Sequence, residues 1–217
     1  MREGVGAHLG EMRTLAGNAD VWCAWVGDHA HRVSSLATVL SDTERARLER
    51  YRNLDAAGRY VVTRALVRSV LGERLGVAPQ NVEVRVTDFG KPVISEDLHF
   101  NVSHSGDLIM MAISADRAVG IDVERRREVH RAGALIARWL TPDEQHEVAA
   151  LRAAGLGESD AFLRVWSAKE AKLKALGIGI AGAPNADFTN VVAVPLDDLL
   201  AKATRNPERY VGAVAFA

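Results

Sequence analysis

The sequence predicts an α+β protein made of two similar halves, each a small antiparallel sheet packed with a long helix. Three observations carry this expectation. A helix-starting pair occurs twice, Ser41 with Glu44 and Thr141 with Glu144, 100 positions apart. Each pair is followed by a long stretch of helically spaced apolar residues that closes on a glycine, Gly76 and then Gly177. Each half also ends in short runs rich in β-branched residues. An internal repeat of this kind is read before anything else, because a missed one misassigns the whole fold.

Taken in order, the β-branched and aromatic run over 21–26 predicts a strand, and the spacing over 30–40 predicts a helix. At Ser41 the hydroxyl can accept from a free helix N–H while Glu44 returns the bond, a capping box that starts the next helix. After the break at 53–55, Tyr60, Val61, Arg64, Leu66, Val67, Val70, Leu71 and Leu75 recur at helical spacing up to Gly76, a helix-closing residue. Strands are expected over 82–87, 100–102 and 108–114. The second half repeats the order: a strand over 119–124, a helix over 130–140, and a capping box at Thr141 with Pro142 at the first helical position. A long helix over 161–176 and strands over 191–194 and 210–216 follow. The expected boundaries are an N-terminal half over 18–115, a C-terminal half over 116–217, and a poorly ordered extension over 1–17. No proline-rich linker separates the halves, so they are expected to pack as one unit.

Composition narrows the function. Of 217 residues, 48% are hydrophobic and 25% charged, which is the balance of a folded globular chain. Lys and Arg number 27 against 28 Asp and Glu, a net charge of -1 that gives no basic face for nucleic acid. The single cysteine, Cys23, excludes an intrachain disulfide or a multi-cysteine metal site and fits a reducing compartment. Residues 1–17 mix charges with small residues unlike a signal peptide, and no run approaches the roughly 18 apolar residues of a membrane span. A cytoplasmic protein without membrane contact is expected.

Four stretches ask for chemistry. Asp122 and Glu124 stand two apart on a strand, hence on one face, where their repulsion calls for a cation between them. A hard ion such as Mg2+ suits paired oxygen ligands; the alternative is a strand end neutralised by Arg125, Arg126 and Arg127. Glu170 and Lys174 stand four apart on the second long helix. They are either an ordinary surface pair or, beside a metal, a third carboxylate and a phosphate-binding cation. The turn at Ser103, His104, Ser105 and Gly106 offers hydroxyls, an imidazole and a permissive backbone suited to an anion. Neighbouring strand residues point to opposite faces, which disfavours a serine nucleophile pair there. Gly90, Lys91 and Pro92 form a turn that lacks the glycine spacing and the Ser or Thr of a P-loop.

In this order, Gly90 to Pro92, Phe100 to Ser105, Gly120 to Glu124 and Trp166 to Ala171 with Lys174 resemble the 4'-phosphopantetheinyl transferases of the larger, monomeric Sfp type. The resemblance implies two pseudo-twofold-related halves with an active site in the cleft between them. It implies transfer of the 4'-phosphopantetheine arm of coenzyme A to a serine of an apo acyl or peptidyl carrier protein, as in a holo-[acyl-carrier-protein] synthase. Adenosine 3',5'-bisphosphate would leave. By position it implies Asp122, Glu124 and Glu170 as Mg2+ ligands, with Glu170, Lys174 and Asp122 catalytic. Arg47, Arg59, Gly90, Lys91, Pro92, Asn101, Ser103, His104, Lys169 and Lys174 would contact coenzyme A, His104 and the two arginines at its 3'-phosphate. The basic run at Arg125, Arg126, Arg127 and Arg131 would either steer an acidic carrier or be a solvated face. Competing classes are another Mg2+-dependent phosphoryl-transfer enzyme and a non-catalytic carrier-binding module.

Overall fold

The computed structural model describes residues 9–15, 19–94, 97–203 and 206–217. The first half runs β1 (Glu11–Leu15), β2 (Ala19–Trp25), α1 (Val33–Leu36), α2 (Asp42–Leu48), α3 (Leu54–Leu75), β3 (Arg85–Val86), β4 (Pro92–Val93), β5 (His99–Ser105) and β6 (Leu108–Ser114). The second runs β7 (Val119–Arg125), α4 (Ala132–Trp139), α5 (Pro142–Ala153), α6 (Glu158–Leu176), β8 (Val192–Pro195), α7 (Asp197–Ala203) and β9 (Tyr210–Phe216). The strands form antiparallel sheets ordered β1-β2-β6-β5 and β7-β9-β8, with β3 and β4 as a separate small pair. Apart from the edge strand β1, each larger sheet pairs its first strand with its last and its last with the middle one, as β2-β6-β5 and β7-β9-β8. The repeat therefore extends from motif to topology.

Alternation along the strands stacks these sheets between two helices. Trp22, Ala24, Ile109, Met111 and Ile113 pack with Val62, Leu66 and Val70 of α3 on one side of the first sheet. Val21, Cys23, Leu108, Met110 and Ala112 pack on its other side with Val119, Ile121, Val123, Val214 and Phe216 of the second sheet. The far face of that sheet, through Ala213 and Ala215, meets Ala171 and Ala175 of α6. The order is helix, sheet, sheet, helix, with a shared apolar core between the halves. Val119, Ile121 and Val123 turn into that core, so period two turns Gly120, Asp122 and Glu124 away from it.

Both capping boxes form, and both glutamates do a second job. Glu44 Oε2 accepts from the Ser41 amide and pairs with Arg68 of α3, while Arg64 donates to Oε1 at 2.6 Å. Glu144 Oε2 accepts from the Thr141 amide at 2.8 Å and pairs with Lys169 of α6 at 2.7 Å. In each half a short helix is thus pinned to the long one by a cation on its capping glutamate. Both long helices then end alike: Gly76 and Gly177 take left-handed φ of 68° and 74°, and the residue after each bonds back to the carbonyl of Gly72 and Leu173.

Some expectations need correction. The helix expected over 30–40 is a 3-10 turn (Gly27–Arg32), the single turn α1, and another 3-10 turn (Ala37–Val39). The hydroxyls of Ser35 and Thr38 bond back to the carbonyls of Arg32 and Ser35, a local competitor to regular helix. The strand expected over 82–87 shrinks to the exposed pair Arg85–Val86. The extension expected over 1–17 lies partly outside the described residues, but Glu11–Leu15 within it is an edge strand pairing with Ala19–Trp25. Its backbone gains a ladder that apolar patterning does not announce. Helix α7 was not expected at all.

Candidate functional site

The site forms along the seam where β7, an edge strand of the second sheet, runs beside β5, an edge strand of the first. The edge amides of β7 are met by side chains. Ile121 N–H donates to Asn101 Oδ1 at 3.0 Å, Val123 N–H to Ser103 Oγ at 3.4 Å, and Arg125 N–H to Ser105 Oγ at 2.9 Å. Residues 101, 103 and 105 share one face of β5, and that face is polar where the neighbouring strands contribute Met110 and Cys23 to the shared core.

Above this seam stands the acidic cluster. The Asp122 side chain is buried; Ser103 donates to its Oδ1 at 2.9 Å and Lys174 donates to the same oxygen at 2.6 Å. Its second oxygen, Oδ2, is buried without a hydrogen-bond partner among the described residues. Burial pushes the Asp122 carboxyl above the ordinary range, and the Lys174 charge opposes the rise. Glu124 Oε2 accepts from Ser105 at 3.0 Å and from Arg127 at 2.9 Å. Glu170, one turn before Lys174 on α6, is raised first by burial and then by the charge of Asp122, with Glu124 adding to it. The three carboxylates therefore feel one another across β7 and α6. No set of three His, Cys, Asp or Glu side chains among the described residues is arranged to enclose an ion unaided.

A second group gathers on the first half. Arg59 of α3 has a buried Nε with no partner among the described residues. Loss of surrounding water, then the charges of Arg59 and Lys174, hold the His104 imidazole below its ordinary value. Arg47 of α2 lies over the Tyr60 ring at 5.5 Å. Gly90 takes φ of 84° in the turn between β3 and β4, beside Pro92 at the start of β4. From that turn Lys91 reaches the second half, donating to the carbonyls of Ala175 at 2.8 Å and Val119 at 3.4 Å. Its ammonium sits on the last turn of α6, where the helix carbonyls lack partners.

The structure thus brings Asp122, Glu124, Glu170, Lys174 and Ser103 together, with His104 and Arg59 close by. Lys169 is placed elsewhere: it is 2% exposed and its ammonium is engaged by Glu144, the counterpart of the Arg68 and Glu44 pair. Asn101 is buried, with its carbonyl engaged by the β7 amide. Of the arginine run, Arg127 pairs with Glu124 and Arg126 with Asp160 at 3.2 Å, so two of the three neutralise acids. The contact of Ser105 with Glu124 went unread in the sequence, although the spacing of two from Ser103 to Ser105 was the available signal.

Fold and site define a duplicated α+β protein whose polar centre lies at the junction of its halves. Two family models meet at that junction: one described as 4'-phosphopantetheinyl transferase, N-terminal, matches 24–116, and one described as the 4'-phosphopantetheinyl transferase superfamily matches 118–211. The 4'-phosphopantetheinyl transferase HetI of Nostoc sp. is 33% identical over 77% of this chain and 72% of its own. A phosphopantetheinyl transferase of Thraustochytrium sp. is 32% identical over 76% of this chain, and the 4'-phosphopantetheinyl transferase Sfp of Bacillus subtilis 27% identical over 65%. This chain spans 62% of the length of each of those two. The chain belongs to the 4'-phosphopantetheinyl transferase family, in its Sfp type, and is by that membership a transferase. Among the described residues no helix is long and apolar enough to cross a membrane.

Proposed function

We propose that the protein moves the 4'-phosphopantetheine arm of coenzyme A onto a serine of an apo acyl or peptidyl carrier protein, working as a cytoplasmic monomer with Mg2+. The observation that carries this reading is the cluster of Asp122, Glu124, Glu170 and Lys174 on the seam, in a chain of this family. The carrier serine oxygen forms a bond to the β-phosphorus of coenzyme A as the bond to the departing adenosine 3',5'-bisphosphate breaks. The leaving group takes the electron pair, and a phosphodiester remains on the carrier. Glu170 takes the serine proton, directly or through an intervening water. Lys174 meets the charge that develops on the pyrophosphate.

The residues fit Mg2+. A buried Asp122 Oδ2 without a partner among the described residues and three mutually repelling carboxylates call for a cation. The lack of a complete protein cage among the described residues also agrees, since this ion is seldom enclosed by protein ligands alone and keeps phosphate and water in its shell. Asp122, Glu124 and Glu170 would hold it, and it would supply positive charge against the pyrophosphate. His104 and Arg59 would meet the 3'-phosphate with Arg47 at its edge, Ser103 the phosphates, and the Gly90 to Pro92 turn the adenine side. The acidic helix of a carrier would face the basic residues Arg125 and Arg131.

The test is incubation of the protein with coenzyme A, Mg2+ and several apo carrier proteins, read by intact mass. The expected result is one added phosphopantetheine arm that is lost on chelation. No mass gain on any competent carrier overturns the assignment.

A further inference from the structure

Ser105 does for Glu124 what Ser103 does for Asp122. The Ser103 hydroxyl accepts from the Val123 amide and donates to Asp122 Oδ1. The Ser105 hydroxyl accepts from the Arg125 amide and donates to Glu124 Oε2. Each serine therefore ties a carboxylate to the backbone amide that follows it, through its one donor and a lone pair; Ser103 also accepts from Lys174 at 3.2 Å. The pattern on the carboxylates repeats as well. Ser103 and Lys174 share one oxygen of Asp122, and Ser105 and Arg127 share one oxygen of Glu124. For Asp122 the remaining oxygen is buried and has no hydrogen-bond partner among the described residues.

We propose that Ser105 is a positioning residue for Glu124, through which β5 of the first half fixes the geometry of a carboxylate supplied by the second. A free glutamate side chain loses much rotamer freedom when it takes up one pose at an ion. The Ser105 hydroxyl holds that pose beforehand, and Arg127 neutralises the same oxygen. The resemblance implies a coenzyme contact for Ser103 but none for Ser105, whose hydroxyl donates to Glu124 and accepts from the Arg125 amide, both on β7. The inference rests on the reading of Glu124 as a cation ligand.

The experiment measures Mn2+ binding to the full chain by electron paramagnetic resonance, with coenzyme A in excess, for wild type, Ser105→Ala and Ser105→Thr. Loss of such an outer contact weakens metal binding by about 10- to 100-fold, so the alanine variant is expected to bind Mn2+ at least ~10-fold less tightly. The threonine variant keeps the hydroxyl and is expected within ~3-fold of wild type, by the same scale. The apparent KM for Mg2+ rises in the alanine variant while kcat at saturating Mg2+ holds. Should alanine lower the metal-free melting temperature by more than ~5 °C, roughly 1 to 2 kcal/mol for a chain this size, Ser105→Cys replaces it. That variant keeps the shape with a weaker donor, and weakened binding is again expected. Equal affinity in wild type and the alanine or cysteine variant overturns the role of Ser105 and leaves the cation reading standing. Equal weakening in the alanine and threonine variants also overturns it, since strand packing and not the hydroxyl would then matter. Absence of Mn2+ binding in wild type overturns the cation reading and this inference with it.

Discussion

A Cβ on Gly120 would overlap the carbonyl oxygen of Ala171, and it would lie 2.9 Å from the carbonyl carbon of Lys174. Strand β7 therefore meets helix α6 backbone to backbone, and this approach is what lets Lys174 reach Asp122 two residues further along the strand. Gly120→Ala must push α6 outward against rigid backbone. It is expected to cost about 3 kcal/mol or more, read as a fall in melting temperature of roughly 6 to 12 °C. A folded variant should also lose transfer activity more than it loses affinity for coenzyme A. An unchanged melting temperature would mean that the helix is not held at this distance.

Glu170, like Asp122, has its carboxyl raised by its surroundings, and its role as base is tested by Glu170→Gln. Loss of a general base lowers kcat by about 10²- to 10⁴-fold, measured as phosphopantetheine mass gain over time. The amide keeps the size of the side chain, so the melting temperature should hold or rise as repulsion with Asp122 is relieved. Full turnover at saturating Mg2+ would remove Glu170 from the chemistry.

The capping glutamates predict a paired effect on stability. Arg68 is buried, binds Glu44, and donates to the carbonyls of Pro79, Gln80 and Val82 at 3.0 to 3.3 Å. Arg68→Ala leaves Glu44 short of its buried partner and takes a donor from three carbonyls, of which Pro79 keeps the Val82 amide, and this costs about 3 to 5 kcal/mol. Lys169→Met, its counterpart, strands Glu144 and should cost a similar amount, somewhat less because Glu144 is more exposed. Urea unfolding measures both. The KM for coenzyme A separates the two roles open to Lys169: a structural cation leaves it unchanged in the folded variant, whereas a coenzyme contact raises it several-fold.

Much of this was legible in the sequence because its chemistry is local. A capping box is complete within four residues, so Ser41 and Thr141 announced their helices, and Gly76 and Gly177 announced the ends. Asp122 and Glu124 were readable as one face because strand geometry has period two. What escaped was tertiary. The cation on each capping glutamate lies 24 or 25 residues away on another helix, with nothing local to mark it. Gly120 looked like part of a motif, and only the approach of α6 gives it a reason. The seam between β5 and β7 depends on which edges the two sheets present to each other, and no single strand carries that information.

His104 supplies a pH prediction. Loss of water and the charges of Arg59 and Lys174 hold its imidazole below the ordinary value, so near pH 7 it is neutral before a ligand arrives. A phosphate beside it favours the charged ring, and binding then takes up a proton. Affinity for coenzyme A should therefore rise as pH falls from 8 to 6, by roughly 3- to 10-fold relative to His104→Ala. Titration calorimetry in buffers of different ionisation heat checks the proton uptake. Identical pH dependence in wild type and the variant would take His104 away from the phosphate.

Lys91 gives the opposite sign on stability. Burial in the seam holds its ammonium down to about 8, against an unfolded value near 10.5. Below pH 8 both folded and unfolded chains carry the proton, and the fold bears a constant cost for burying it. Between pH 8 and 10.5 the unfolded chain keeps the proton that the folded chain has lost, so the contribution of this site to stability increases with pH across that window. Because the side chain is partly open to water, the gain is discounted to about 1 to 2 kcal/mol. Urea unfolding of ligand-free wild type and Lys91→Met at pH 7.5 and 9.5 isolates it, since other titrations cancel in the difference. Wild type should gain on the variant between the two pH values. A difference that stays flat or falls would mean that water reaches the ammonium freely and that the turn from the first half does not close over the end of α6.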